Sequence, residues 1–380
     1  MRHILIAGAG IGGLSAARAL RRAGFQVTLF ERAEDLRPVG AGITMQTNAM
    51  LAFGHLGLGD AVAAAGSRLE RAEIRSWNGR LLQAAPARRV AEALGAPVVG
   101  LHRGRLQRVL LEALGEARLR LGSAVTAVEP TPGGVGVRLS DGSTAEGDAL
   151  VGADGLRSVV RAALHGEAEP RYAGYTSWRG ICANQGKVAK GLGCECWGAG
   201  RRFGFLDVGH DEVYWFATRD APPDGVDPPA GAAASLAQEL AAWAPPVVAL
   251  LAATPGSAVV RTDICDRPPL ARWGRGRVTL LGDAAHPMTP NLGQGGCQAV
   301  EDAVVLADRL ARASDLEQGL RAYEAARATR TRWFVAQSRR VGRVAQASGR
   351  LACLARDTIA RWIPESATER QLRAAFSFEP

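Results

Sequence analysis

Gly8, Gly10 and Gly13 stand at the spacing G-x-G-x-x-G within Gly8-Ala9-Gly10-Ile11-Gly12-Gly13. They follow an apolar run, Ile4–Ala7, and open a stretch of helical periodicity, which is the strand–turn–helix context the motif needs. There Gly8 permits a tight turn, Gly10 lets the backbone approach a pyrophosphate, and Gly13 lets helix and strand pack closely. Unpaired N–H groups and the helix dipole favour an anion at that point. Glu31, followed by Arg32, ends the next apolar run. A carboxylate there accepts hydrogen bonds from ribose hydroxyls and repels a 2′-phosphate. The pattern reads as a dinucleotide site.

Two further stretches bear on which dinucleotide it is. Gly282-Asp283-Ala284-Ala285-His286-Pro287 follows the apolar run Val278–Leu281, and Pro290-Asn291-Leu292-Gly293-Gln294-Gly295-Gly296 comes next. An aspartate among small residues can meet a polyol hydroxyl closely, and glycines opening a helix near 295–297 present N–H groups to a partly negative ring edge. Asp154-Gly155, with Arg157, Ser158 and Arg161, forms another strand-to-helix turn carrying a carboxylate and cations.

With these residues in place, the chain resembles the class A flavoprotein monooxygenases, the family of para-hydroxybenzoate hydroxylase, over nearly its whole length. Gly8–Gly13, with Ile11 and Gly12, looks like the family's ADP-binding site, and Val151–Ser158 is similar to its DG motif, linked to FAD and NAD(P)H. Gly282–Pro287 looks like its GD motif, whose aspartate contacts the ribityl chain of FAD. Arg103 and Gln107 match family positions that contact FAD. Tyr172–Gly180 and Asn291–Cys297 are similar to segments of zeaxanthin epoxidase, salicylate hydroxylase and urate hydroxylase. The resemblance implies FAD as cofactor and NADPH or NADH as transient reductant. A C4a-hydroperoxyflavin would hydroxylate or epoxidise a small aromatic, heteroaromatic or isoprenoid substrate with O2. The N–H groups of Gly295 and Gly296 would stabilise charge at the flavin N1/O2 edge.

Other flavoproteins fit less well. Disulfide reductases need a redox cysteine pair near the flavin, and no cysteine precedes Cys182. Halogenases carry a WxWxIP segment that Tyr214-Trp215-Phe216-Ala217 does not match, and amine oxidases lack the DG motif. The remaining alternative is an FAD-dependent reductase or oxidase of the same superfamily without oxygen insertion. A flavin-bound regulator would need an output domain, which nothing here resembles.

The elements that must hold these residues read as α/β. A Rossmann-like FAD-binding domain of the glutathione reductase type is expected from 1–170 and 266–345. A sheet-rich substrate domain is expected over 171–265 and a helical segment over 346–380. Residues 3–8, 26–31, 123–129, 135–139, 149–152 and 277–281 read as strands, 12–23 and 103–121 as helical stretches, and the chain from Gln298 to near 363 as helix. Aromatics gather between 170 and 265, and 203–208 and 213–218 alternate as half-buried strands do.

The 380 residues are 47% hydrophobic and 22% charged, ordinary globular composition, with no apolar run approaching the roughly 20 residues of a membrane span. No signal-peptide pattern is present, so the chain reads as cytoplasmic, a monomer or homodimer. The six cysteines show no zinc spacing. The net charge of +9 comes from scattered residues with no aromatic-interleaved basic run, which argues against nucleic acid and for anionic cofactors and substrates.

No catalytic base emerges from these patterns. Arg179 and Tyr214, a cation and a phenol, are candidate substrate contacts, and Phe205, Trp215 and Pro290 are candidate lining residues. His286 suits a base by type, but its place in the GD motif favours a structural or flavin-proximal role. Near the C-terminus, Arg339, Arg340, Arg343 and Arg350 lie among Val341, Val344, Leu351 and Leu354. Such a basic amphipathic pattern fits peripheral contact with an anionic membrane. The simpler reading is a helix packed on the core with a solvated arginine face.

Overall fold

The computed structural model describes residues 1–36, 41–228 and 231–380. His3–Ala7 is the central strand of a five-stranded parallel sheet, in the order 278–280, 149–152, 3–7, 26–30, 118–120. Ile4, Leu5 and Ile6 are all inaccessible, as expected of a parallel strand covered on both faces. Helix Ile11–Arg22 returns along this sheet and packs against helix Gly295–Arg312, so the first and last glycine motifs open neighbouring helices.

A second, seven-stranded sheet runs in the order 260–266, 171–183, 212–220, 201–207, 192–197, 71–76, 81–85. Five strands fall in the aromatic-rich region. The other two come from far upstream, Arg71–Ser76 adding parallel to Leu192–Trp197. Pairing of that range in sequence separation leaves no local periodicity to read.

Alternation gives this sheet two different faces. Tyr214 lies opposite Ile181 and Leu206, whereas Trp215 lies opposite Gly180 and Phe205. Trp215, Phe203 and Phe205 join Leu236, Leu250 and Leu251 of helices Ala232–Glu239 and Pro245–Ala252 in one core. Tyr214 and Leu206 cluster instead with Ala41, Leu69 and Val98, toward the parallel-sheet half.

The helical stretch from Arg103 ends at Glu112, because the chain turns through Gly115 at φ +62° and enters the strand Arg118–Arg120. The C-terminal third forms helices Gly295–Arg312, Leu316–Ala345, Arg350–Trp362 and Glu365–Phe376. None of the described helices is long and apolar enough to cross a membrane.

Candidate active site

At the first glycine motif, three glycines are packed and one is open. A Cβ on Gly13 would sit 1.9 Å from the Gly8 carbonyl oxygen, and one on Gly12 would sit 2.7 Å from Leu281. Gly8 adopts φ +98° with Ala153 O against it. At Gly10 a Cβ would meet nothing within 4 Å, so space lies directly over the loop where the helix begins. Glu31 fixes the loop: Oε2 accepts the Ala9 N–H at 2.8 Å and Oε1 the Ala33 N–H at 3.0 Å. Gln107 Nε2 donates to Ala9 O at 3.4 Å. Ile11 is buried beneath the loop, and Arg32 is exposed.

The second motif is a capped turn. Asp154 accepts from Ser158 Oγ, from Val159 N at 2.8 Å and from Val160 N at 3.2 Å, while Ser158 caps the following helix through Arg161 N at 2.9 Å. Gly155 takes φ +83°. Arg161 is buried and donates to Ala284 O at 3.0 Å and Ala285 O at 3.1 Å, joining this turn to the third motif. Burial, with Arg267 nearby, lowers its pKa to about 10, which still leaves it a cation at neutral pH.

The third motif rests on a buried polar network. Asp302 Oδ2 accepts the Gly282 N–H at 3.0 Å and faces His286 Nε2 at 2.6 Å, and Oδ1 accepts from Arg327 Nε at 2.7 Å. Burial pushes the Asp302 carboxyl up, but His286 and Arg327 outweigh it and hold its pKa at about 2. Glu301 accepts from Asn48 at 2.6 Å, Gln298 at 3.0 Å, and both Arg327 and Arg330. His286 is thus engaged by the network, and its Nδ1 is buried without a partner among the described residues.

Above this foundation Asp283 opens to the cleft with no hydrogen bond among the described residues, beside Gly295, whose Cβ would lie 3.7 Å from Oδ1. Protein crowds it on its other sides, so desolvation raises its carboxyl pKa against the pull of His286 and Arg103. Gly296 lies against Ile43 and Met45 of the strand Gly42–Met45. Gly293 takes φ +62° near Gln46, and Pro290 is exposed.

Across from these glycines stands Tyr214. Its ring covers Gly42 so closely that a Cβ there would be 2.3 Å from Cγ. Burial raises its pKa, with the Arg179 and Arg103 guanidiniums opposing, so the phenol keeps its proton at neutral pH. Neither the hydroxyl nor the two guanidiniums has a hydrogen-bonding partner among the described residues.

Phe205 and Trp215 do not join them. Trp215 is fully buried on the opposite face, stacked on Phe203 at 5.4 Å, with Nε1 donating to Thr254 Oγ1 at 2.8 Å. The physical reason is strand parity, since neighbours in a strand point to opposite sides. Asp302, Arg327, Gln298 and Asn48 were not readable as site residues. The one signal for Gln298 and Asp302 is the polar set Gln294, Gln298, Glu301 and Asp302 at i, i+4, i+7 and i+8 through the start of a helix whose remaining residues there are small or apolar.

A dinucleotide carrying a flavin fits these features: open space over Gly10, a free carboxylate at Asp283, and a helix N-terminus at Gly295. The FAD binding domain family matches residues 1–338. The chain therefore belongs to that family, within the class A flavoprotein monooxygenases. It is 48% identical over 377 residues to aurachin C monooxygenase/isomerase of Stigmatella aurantiaca, covering 99% of this chain and 98% of the relative. It is 35% identical over 380 residues to 2-heptyl-3-hydroxy-4(1H)-quinolone synthase of Pseudomonas aeruginosa, covering 98% and 97%. The crystal structure of Klebsiella pneumoniae HpxO complexed with FAD and uric acid superposes with a TM-score of 0.93 at 32% identity, covering 99% of this chain and 96% of that one. The chain is an FAD-dependent monooxygenase by these relationships.

Proposed function

We propose that this enzyme uses NADH or NADPH and O2 to hydroxylate a flat heteroaromatic of the quinolone type that carries an apolar side chain. The observation behind this reading is Tyr214 and Arg179, without hydrogen-bonding partners among the described residues, on a sheet face otherwise built of Ile181, Leu206 and Phe216. The Arg103 guanidinium of helix Arg103–Glu112 acts on the same phenol. The relative named for a 3-hydroxy-4(1H)-quinolone supports it at the level of substrate class.

FAD would lie with its pyrophosphate over Gly10, a ribose at Glu31, the ribityl chain at Asp283 and the ring edge at Gly295 and Gly296; Arg103 and Gln107 flank that path. When bound and reduced by the nicotinamide, it supplies activated oxygen. The chain's own residues orient and polarise the substrate. Tyr214 donates a hydrogen bond from its phenolic O–H to a ring oxygen and keeps the proton, because burial raises its pKa. Arg179 favours the enolate-like form of that oxygen, and the added electron density makes the adjacent ring carbon more nucleophilic. The apolar wall excludes water, which protects the reactive oxygen species from decay.

The test is NADH and NADPH oxidation by the flavin-loaded enzyme against a panel of phenols, heteroaromatics and quinolones, with O2 uptake followed together. One O2 consumed per nicotinamide and an oxygenated product with a single class of compound is the expected result. Substrate-stimulated nicotinamide oxidation with zero O2 uptake would instead assign a reductase.

A further inference from the structure

Helix Arg350–Trp362 has one packed face and one bare face. Cys353, Arg356 and Ala360 lie on the packed side: Cys353 Sγ donates to Ala347 O at 3.1 Å, and Arg356 donates to Gly198 O and Ala345 O at 3.0 Å. The opposite stripe is Leu351, Leu354, Ala355, Thr358, Ile359 and Trp362, at i, i+3, i+4, i+7, i+8 and i+11. Leu351 is 83% exposed, Leu354 and Ile359 63%, and Trp362 81%. Single exposed hydrophobics are ordinary, but a continuous stripe marks a contact surface.

Charge identifies what the stripe meets. Arg350 and Arg361 fall on one flank of it by helical periodicity, and Arg340 and Arg343 are exposed just upstream. None of the four makes an ion pair among the described residues. A two-fold contact with a second copy would set these arginines against themselves, in a chain already at net charge +9. The chain's own last helix, Glu365–Phe376, does not cover the stripe, because it packs on Ala87–Leu94 and Leu81–Ala85. An anionic lipid surface satisfies both halves of the pattern, apolar side chains among the acyl chains and arginines at the phosphates.

We propose that Arg350–Trp362 docks the enzyme on an anionic bilayer. The docked helix begins four residues after Gln346, whose Oε1 accepts from Arg202 and Thr218 on the Tyr214 face of the sheet. The sheet that carries the substrate wall is thus tied through Gln346 to the segment that leads into the lipid-facing helix. This docking stands apart from which ring is oxidised.

Full-length, FAD-loaded enzyme is sedimented with phosphatidylcholine vesicles with and without phosphatidylglycerol, at low and high salt. The enzyme is expected to pellet with the phosphatidylglycerol vesicles at low salt and to be released at high salt. R350E/R361E should lower the partition by at least about tenfold, and L354S/W362S should abolish it. All four positions are exposed, and melting temperature and flavin content report that each variant is folded. Failure of the wild type to pellet at low salt, or pelleting unaffected by both variants, overturns the proposal. A dimer seen by sedimentation velocity and lost in L354S/W362S, without vesicle binding, would give the stripe to a second copy.

Discussion

His286 Nε2 lies 2.6 Å from Asp302 Oδ2, the same oxygen that accepts the Gly282 N–H. One buried carboxylate therefore holds both ends of the turn that aims Asp283 at the cleft. The folded-state pKa of about 2 lies below the unfolded value of 3.8, so its stabilising contribution is complete above about pH 4 and lost as pH falls toward 2. Wild-type stability, measured by urea unfolding, should fall about 2 kcal/mol more across that window than that of D302N.

Arg327 neutralises Asp302 and Glu301 together inside the core. Replacing it with methionine leaves two buried carboxylates short of a cation and should cost about 3–5 kcal/mol. Thermal and urea melts of the flavin-loaded enzyme check this. A loss under about 1 kcal/mol would mean that Arg330 compensates alone.

Gly10 and Gly13 should fail in different ways. G13A drives a methyl into the Gly8 carbonyl, so it should lower stability by more than about 2 kcal/mol. G10A has room for its methyl and should leave circular dichroism and melting of the apoprotein unchanged, while flavin retention falls at least tenfold (about 1.4 kcal/mol).

Glu31 serves the loop before it serves any ribose. E31Q keeps the shape but replaces one of the two N–H acceptors with an amide NH2, and FAD affinity by equilibrium dialysis should drop about tenfold. Equal flavin affinity in E31Q and wild type would remove Glu31 from the nucleotide site.

Tyr214 and Trp215 separate binding chemistry from packing. Y214F should lower kcat with the preferred substrate about tenfold or more while the melting temperature holds. W215F should lower stability by about 1–3 kcal/mol, because Thr254 loses its indole donor, and leave KM unchanged.

What could be read from sequence follows sequence distance. The glycine loop, the Asp154 turn and the Asp283 turn are each contained in fewer than ten residues, so their local chemistry is visible at once. Arg161 reaching Ala284 and Ala285, or Arg327 reaching Asp302, depends on tertiary pairing that no local pattern encodes. The separation of Tyr214 from Trp215 is different, since alternation across 213–218 already dictates it. Naming both as lining residues overlooks that parity. The bare face of Arg350–Trp362 is similar: its apolar spacing is plain in sequence, but only the packed position of Arg356 shows which side looks outward.

A strand with a reactive side and a structural side also shapes how this enzyme can change. Residues 179, 181, 206, 214 and 216 can be varied for a new substrate without entering the core around Trp215. Residues 178, 180, 203, 205 and 215 answer mainly to packing, and Gly180 in particular is pinned by the Trp215 ring. Libraries confined to the first set should retain fold and flavin in most members, making specificity here a separable, inheritable module.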